Sequence, residues 1–154
     1  IAPAPATGAA PRGKRAIPVS PDAGGHPLAS IASARVWDTV DLAAAGRSSR
    51  SGEVTWRLAR AVPIHGFAVW WQADLVAGVS LSTAPDAPPT HWEQLYFPLA
   101  GPLACEAGDS LTVRLKSRSS RESGTTLAWT ALRQAPDGRT LDRRVHDLDK
   151  GYIP

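Results

Sequence analysis

Phe67-Ala68-Val69-Trp70-Trp71-Gln72-Ala73-Asp74-Leu75 runs through the middle of the chain. Its apolar residues alternate with period two, which is the signature of a strand with one buried face. Phe67, Val69, Trp71, Ala73 and Leu75 point one way, and Ala68, Trp70, Gln72 and Asp74 point the other. Leu95, Phe97 and Leu99 repeat the pattern downstream, with Trp92, Gln94 and Tyr96 on the opposite side. Between the two runs lies Leu81-Ser82-Thr83-Ala84-Pro85-Asp86-Ala87-Pro88-Pro89-Thr90. Pro85, Pro88 and Pro89 remove donors and fix φ, so this connection is expected to be rigid and outside any ladder. It delivers Thr90-His91-Trp92 to the mouth of the second strand.

On either side, short alternating runs recur at near-regular spacing. Arg35 to Leu42, Glu53 to Val62, Ile64 to Val76, Val79 to Ser82, His91 to Leu99, Leu103 to Glu106, Leu111 to Lys116, Thr125 to Arg133 and Thr140 to Val145 read as strands. Ala16 to Val19 reads as a short edge strand, and Leu28 to Ala34 as the one place for a short helix. Gly101-Pro102 punctuates two of the runs, and Pro136-Asp137-Gly138 is a hairpin turn, with Pro presetting φ and Gly taking the positive-φ position. Many short strands without a helical stripe imply an all-β barrel or sandwich. The expected core is Val54, Trp56, Leu58, Phe67, Val69, Trp71, Leu95, Phe97, Leu111, Val113 and Leu115, with Trp129; Trp70 is left to cover the exterior or a domain seam.

At the proline-rich connection the chain resembles a known family, the class I protein arginine methyltransferases. The resemblance lies in Leu81-Ser82-Thr83-Ala84-Pro85 followed by Thr90-His91-Trp92-Glu93-Gln94. It extends to His65-Gly66-Phe67-Ala68, Trp70-Trp71, Pro102-Leu103, Gly108-Asp109 and Trp37-Asp38-Thr39-Val40-Asp41, and covers about Val36 to Trp129. It implies a barrel of mainly antiparallel strands, the C-terminal, substrate-side domain of such an enzyme. Residues 28–154 would then be the barrel, and residues 1–27, rich in Ala, Pro and Gly, a linker or lead-in from a missing N-terminal domain. The same resemblance implies methyl transfer from S-adenosylmethionine, bound by the missing domain, to an arginine-containing protein or peptide. His91 would be an orienting catalytic residue paired with an acid of that domain. Thr90, His91 and Trp92 would bind substrate, with Trp92 as a wall of the arginine pocket.

The residues themselves set limits. No glycine-rich strand–turn–helix cradle is present, Gly24-Gly25 lacking both context and spacing, so this segment alone is not expected to bind the cofactor or catalyse. The four histidines and one cysteine make no metal-site spacing, and no G-x-S-x-G elbow occurs. Cys105 reads as a buried, inert thiol, and with one cysteine and no charged-then-apolar leader a cytoplasmic protein is the simplest reading. No apolar run could span a bilayer as a helix. The net charge is +3, and the basic residues sit in separate loops, Arg47-Ser48-Ser49-Arg50 and Lys116-Ser117-Arg118-Ser119-Ser120-Arg121. Nucleic-acid readers concentrate such residues on one face, so nucleic acid is not the expected partner. A chain that opens at Ile1 and has no methionine is expected to be cut from a longer protein. The helical dimerisation arm of the family has only Ala43 to Gly52 to occupy, which leaves homodimerisation open. Two alternatives also stay open: a free-standing aromatic-lined barrel or sandwich that binds peptide or carbohydrate, and a bacterial methyltransferase relative with another substrate.

Overall fold

The computed structural model describes residues 14–19, 34–41, 44 and 46–151. The helix expected over Leu28 to Ala34 falls outside the described residues, apart from Ala34, which is not helical. So do residues 1–13 and 20–27 of the lead-in and the last three residues of the chain.

Nine strands are described: β1 Lys14–Val19, β2 Arg35–Asp38, β3 Ser49–Arg57, β4 Val62–Val76, β5 Val79–Ser82, β6 Leu95–Cys105, β7 Ser110–Ser120, β8 Gly124–Gln134 and β9 Thr140–Asp147. A 3-10 turn at Leu148–Lys150 follows, and no α-helix occurs among the described residues. The strands form two antiparallel sheets. One has the order β2-β1-β4-β5 with β6 also on β4, and the other has the order β3-β7-β8-β9. β1 lies between β2 and β4, so the strand expected at an edge is internal to its sheet. β3 begins at Ser49, inside the segment read as a turn, because its first inward positions are Arg50 and Gly52 and carry no apolar signal. β6 runs through Gly101-Pro102 without ending. The register on β4 jumps from Ile64↔Leu103 to Gly66↔Pro98, so the extra residues leave as a bulge, which is where a strand tolerates proline.

The sheets wrap into a barrel closed by side chains at two seams. At the first, β2 crosses β3 so closely that a Cβ on Gly52 would lie 1.8 Å from the Trp37 carbonyl oxygen. Arg50 then grips Asp38 across the seam through Nε and NH2, both at 2.6 Å, and Lys14 Nζ adds a contact at 3.1 Å. The Arg50 guanidinium is the main reason the Asp38 carboxyl is held below its ordinary value. At the second seam, Trp129 Nε1 donates to the Pro98 carbonyl at 2.8 Å, tying β8 to β6.

The core between the sheets contains Val54, Trp56, Phe67, Val69, Phe97, Leu111, Val113, Leu115 and Trp129, as the alternation implied, with Leu58 partly buried against it. Ala16, Trp37, Ile64, Leu99, Leu103, Cys105 and Ala131 complete it. Cys105 is 2% exposed, and burial pushes its thiol up to about 11. Two expected members are not core. Leu95, the first residue of β6, is 55% exposed, and Trp71 is only partly buried, one rung beyond Val69 on the same face. Trp70, on the other face of β4, is 3% exposed and packs with Ala34, Ala68 and Ala84 in a second small cluster. Period-two patterning gives the face of a residue but not its height along the barrel, and β4 is covered on both faces around Trp70.

The Gly108-Asp109 turn pins the far ends of three strands. Gly108, at φ +87°, donates to the Leu58 carbonyl at 2.8 Å, and Leu58 N donates back to the Asp109 carbonyl at 2.9 Å. The buried Asp109 carboxylate accepts from Glu106 N at 2.8 Å and from Arg133 Nε at 2.6 Å. The Glu106 amide is the first cause, and Arg133 a further one, that holds this carboxyl below its ordinary value against the opposing effect of burial.

His146 faces inward on β9, 4% exposed, stacked on Trp129 with centroids 5.0 Å apart. Its Nε2 has no hydrogen-bond partner among the described residues. Burial, with the nearby Arg144 charge adding to it, lowers its pKa below the ordinary 6.5. The folded state therefore keeps His146 neutral where the unfolded chain already takes up a proton. Stability should be greatest above pH 6.5 and should fall as the pH drops from 6.5 towards the lowered folded value. Urea midpoints between pH 7.5 and pH 5 check this: His146→Leu should flatten the wild-type decline, and an equal decline in both proteins would contradict it.

Candidate functional site

The site is built on a split strand. The Trp71 amide and carbonyl both face Thr83, just beyond β5, while Val69 pairs with Leu95 at the start of β6. β5 and β6 thus follow one another along the same flank of β4, and residues 83–94 are the excursion between them. Local chemistry keeps that excursion out of the ladder. Pro85, Pro88 and Pro89 cannot donate, and Ala87 N turns back onto the Ala84 carbonyl at 3.0 Å.

Its neck is fastened by two side chains. Thr83 is 3% exposed; its amide donates to the Trp71 carbonyl at 3.0 Å, and its Oγ1 takes the Trp71 amide at 3.2 Å. Gln94 Nε2 donates to the Thr83 carbonyl at 2.7 Å, closing the other side. Ala84 meanwhile packs against the Trp70 cluster.

Within the loop, Thr90 shapes the tripeptide. Its Oγ1 accepts from Trp92 N at 3.2 Å and donates to the Trp92 carbonyl at 2.8 Å. A hydroxyl that bonds two residues ahead replaces the ladder bonds this segment lacks. The His91 and Trp92 rings lie 4.0 Å apart at an interplanar angle of 36°. Trp71 meets Trp92 edge-on, at 5.7 Å and 64°. His91 is exposed and Trp92 is 48% exposed, so both keep open faces while their backbone is fixed. A hollow of about 230 Å³ lies beside them, lined by Thr83, Pro85, Pro88, Thr90, Trp92 and Gln94.

The strands that carry the loop bring no cation of their own, and Lys14, opposite Trp71 on β1, is turned to Asp38 and Trp37. From Ala61 to Cys105 there is no Lys or Arg, while Asp74, Asp86 and Glu93 are present. An open indole face beside carboxylates of its own segment favours a positively charged planar group. Among the described residues no group of three or more His, Cys, Asp or Glu could hold a metal ion, and no helix is long and apolar enough to cross a membrane.

The three residues singled out in the sequence therefore stand together on one loop, with His91 against Trp92 and Thr90 beneath them. Trp71, Thr83 and Gln94 were not singled out as part of it. Their roles depend on which strand the loop leaves and rejoins, and only the shared neighbourhood of the loop pointed to them.

An antiparallel β-barrel with a proline-stiffened Thr-His-Trp loop at its rim defines a class, and comparison with known proteins agrees with it. A family model described as the arginine methyltransferase oligomerization subdomain matches residues 27–132, and the chain belongs to that family. The chain is 40% identical over 52 residues to an arginine N(omega)-methyltransferase of Streptomyces achromogenes subsp. streptozoticus, a match covering 34% of this chain and 14% of that protein. It is 29% identical over 108 residues to protein arginine N-methyltransferase 2 of Homo sapiens, covering 63% of this chain and 25% of that protein. The matched part of the chain thus spans a quarter or less of either relative.

Proposed function

We propose that this barrel is the substrate side of an S-adenosylmethionine-dependent protein arginine methyltransferase. In this reading it completes the guanidinium pocket against a cofactor-binding domain outside the chain. The observation that carries the reading is the fixed but open His91–Trp92 pair, braced by Trp71 and set in a stretch without a single Lys or Arg. Trp92 offers an indole face to the guanidinium plane. His91, held against that indole, takes an acid of the cofactor-binding domain and fixes the pocket's orientation through one ring nitrogen. The loop acts by positioning, where small misplacements can cost about 10²-fold in rate.

The described residues contain no strand, glycine turn and helix of the sort that cradles an adenosyl cofactor, so the cofactor's own chemistry is assigned to the other domain. A second reading has free arginine as the acceptor, and the 40% identity with a relative named for arginine alone favours it. Methyl transfer by the longer protein to an arginine-rich peptide and to free arginine tests both. Transfer to the peptide is the expected result. Transfer to free arginine alone would move the assignment to the second reading, and transfer to neither would overturn the function.

A further inference from the structure

The two basic loops that lie far apart in the sequence are neighbours in the fold. β3 and β7 pair with Ser51 opposite Lys116, Arg50 opposite Ser117 and Ser49 opposite Arg118. Beyond the last rung Ser119 N donates to the Ser48 carbonyl at 2.7 Å. Arg47-Ser48-Ser49-Arg50-Ser51 and Lys116-Ser117-Arg118-Ser119-Ser120-Arg121 are thereby zipped into one ribbon at one end of the second sheet. The separation that argued against nucleic acid in the sequence does not hold in space.

Arg50 is committed to Asp38, but the other four cations face outward. Lys116, Arg47 and Arg121 have no ion-pair partner among the described residues, and Arg118, with 74% of its side chain exposed, reaches only Asp149 at 4.0 Å. Glu122 is the carboxylate within the turn. Lys116 and Arg118 share a face two residues apart, about 7 Å along the strand.

Next to them a trough of about 500 Å³ crosses the outer face of the sheet. One rung of it is Ser51, Lys116, Ala128 and Asp147, and the next is Glu53, Arg114, Thr130 and Val145. Its two carboxylates are already engaged, Glu53 with Arg114 and Asp147 with the Asp149 amide at 3.1 Å. Lys116 is left as the unengaged charge on a floor of small side chains and hydroxyls. No aromatic side chain belongs to the ribbon, so it has no platform on which bases could stack. Exposed cations and hydroxyls on a flat strand pair match phosphate oxygens, which take most protein–nucleic acid hydrogen bonds.

We propose that this Ser/Arg ribbon binds nucleic acid through its phosphodiester backbone, without selecting bases. The proposal is independent of methyl transfer.

The test is fluorescence anisotropy of a labelled oligothymidylate with this chain, followed over a range of salt. Four phosphate-neutralising cations should give a log–log salt slope of about −2.8, or roughly 50-fold weaker binding on going from about 50 to about 200 mM salt. The double reversal Lys116→Glu with Arg118→Glu should weaken binding at low salt at least tenfold and more than halve the slope. Arg139→Glu, in the hairpin at the other end of the sheet, should change binding less than about twofold. Circular dichroism of each variant confirms that these exposed substitutions leave the fold intact.

Absence of saturable binding at low salt would overturn the proposal. So would a double reversal that binds like wild type, or an Arg139→Glu loss as large as that of the double reversal, which would mean net charge alone is at work. Tighter capture of polyglutamate or of phosphatidylserine vesicles than of the oligonucleotide would reassign the ribbon to an acidic protein or a membrane.

Discussion

Gly52→Ala is expected to lower the stability of this barrel by about 3 kcal/mol or more, which for a chain of this size corresponds to a melting temperature lower by about 10 °C. The reason is steric and specific. The added methyl carbon would sit 1.8 Å from the Trp37 carbonyl oxygen and 2.8 Å from its carbon, and both are main-chain atoms that cannot rotate away. β2 cannot retreat cheaply either. Trp37 is 8% exposed in the core, and Asp38 is held by Arg50 and Lys14. Overpacking commonly costs about 1–3 kcal/mol when side chains give way, and a backbone obstacle puts this case at the upper end. Gly46→Ala is the control, since nothing lies within 4 Å of its added carbon. An unchanged melting temperature in Gly52→Ala would mean that β2 does not close the barrel over β3.

Trp129→Ala should be as damaging, at roughly 3–5 kcal/mol. The indole is 4% exposed and lies between Phe97, at 5.1 Å, and His146, at 5.0 Å. Its removal opens a cavity between the sheets and strips the Pro98 carbonyl of its donor. Trp129→Phe keeps most of the stack and loses the hydrogen bond with part of the ring volume, with an expected cost of about 1–3 kcal/mol. Trp71→Ala, at the rim, should cost less than Trp129→Ala. Urea unfolding of the three variants gives the order, and a Trp129→Ala cost below about 1 kcal/mol would contradict the closure of β8 on β6.

What could be read from the sequence was what is local. Val54 and Trp56, Phe67 and Val69, and Leu111, Val113 and Leu115 alternate over a few residues, and each pair or triplet is buried as the pattern implies. The Pro136-Asp137-Gly138 turn carries its own stereochemistry, and Gly138 adopts φ +86°. The Thr90-His91-Trp92 loop was legible for the same reason, being contiguous and flanked by prolines. Non-local facts were not legible. Trp71 and Val69 share a face, but only the height of the neighbouring strands decides which is core and which is rim. Gly52 gives no sign in the chain that another strand's carbonyl lies against it. Thr83 and Gln94 meet only because β5 and β6 share one flank of β4. The Ser/Arg segments needed the β3–β7 pairing before they became one surface.

In the proposed function His91 and Trp92 form part of the arginine pocket and are more than the tie of a loop. Thr83, Gln94, Thr90 and the prolines already hold the backbone, which leaves His91 and Trp92 little structural work. The most direct measurement is kcat/KM for methyl transfer to an arginine-rich peptide by the longer protein carrying His91→Ala or Trp92→Ala, with melting temperatures alongside. A pocket role predicts a loss of at least about tenfold, more than roughly 1.4 kcal/mol of transition-state stabilisation, with melting within about 2 °C of wild type. Activity within about threefold of wild type in both variants, with folding intact, would contradict it.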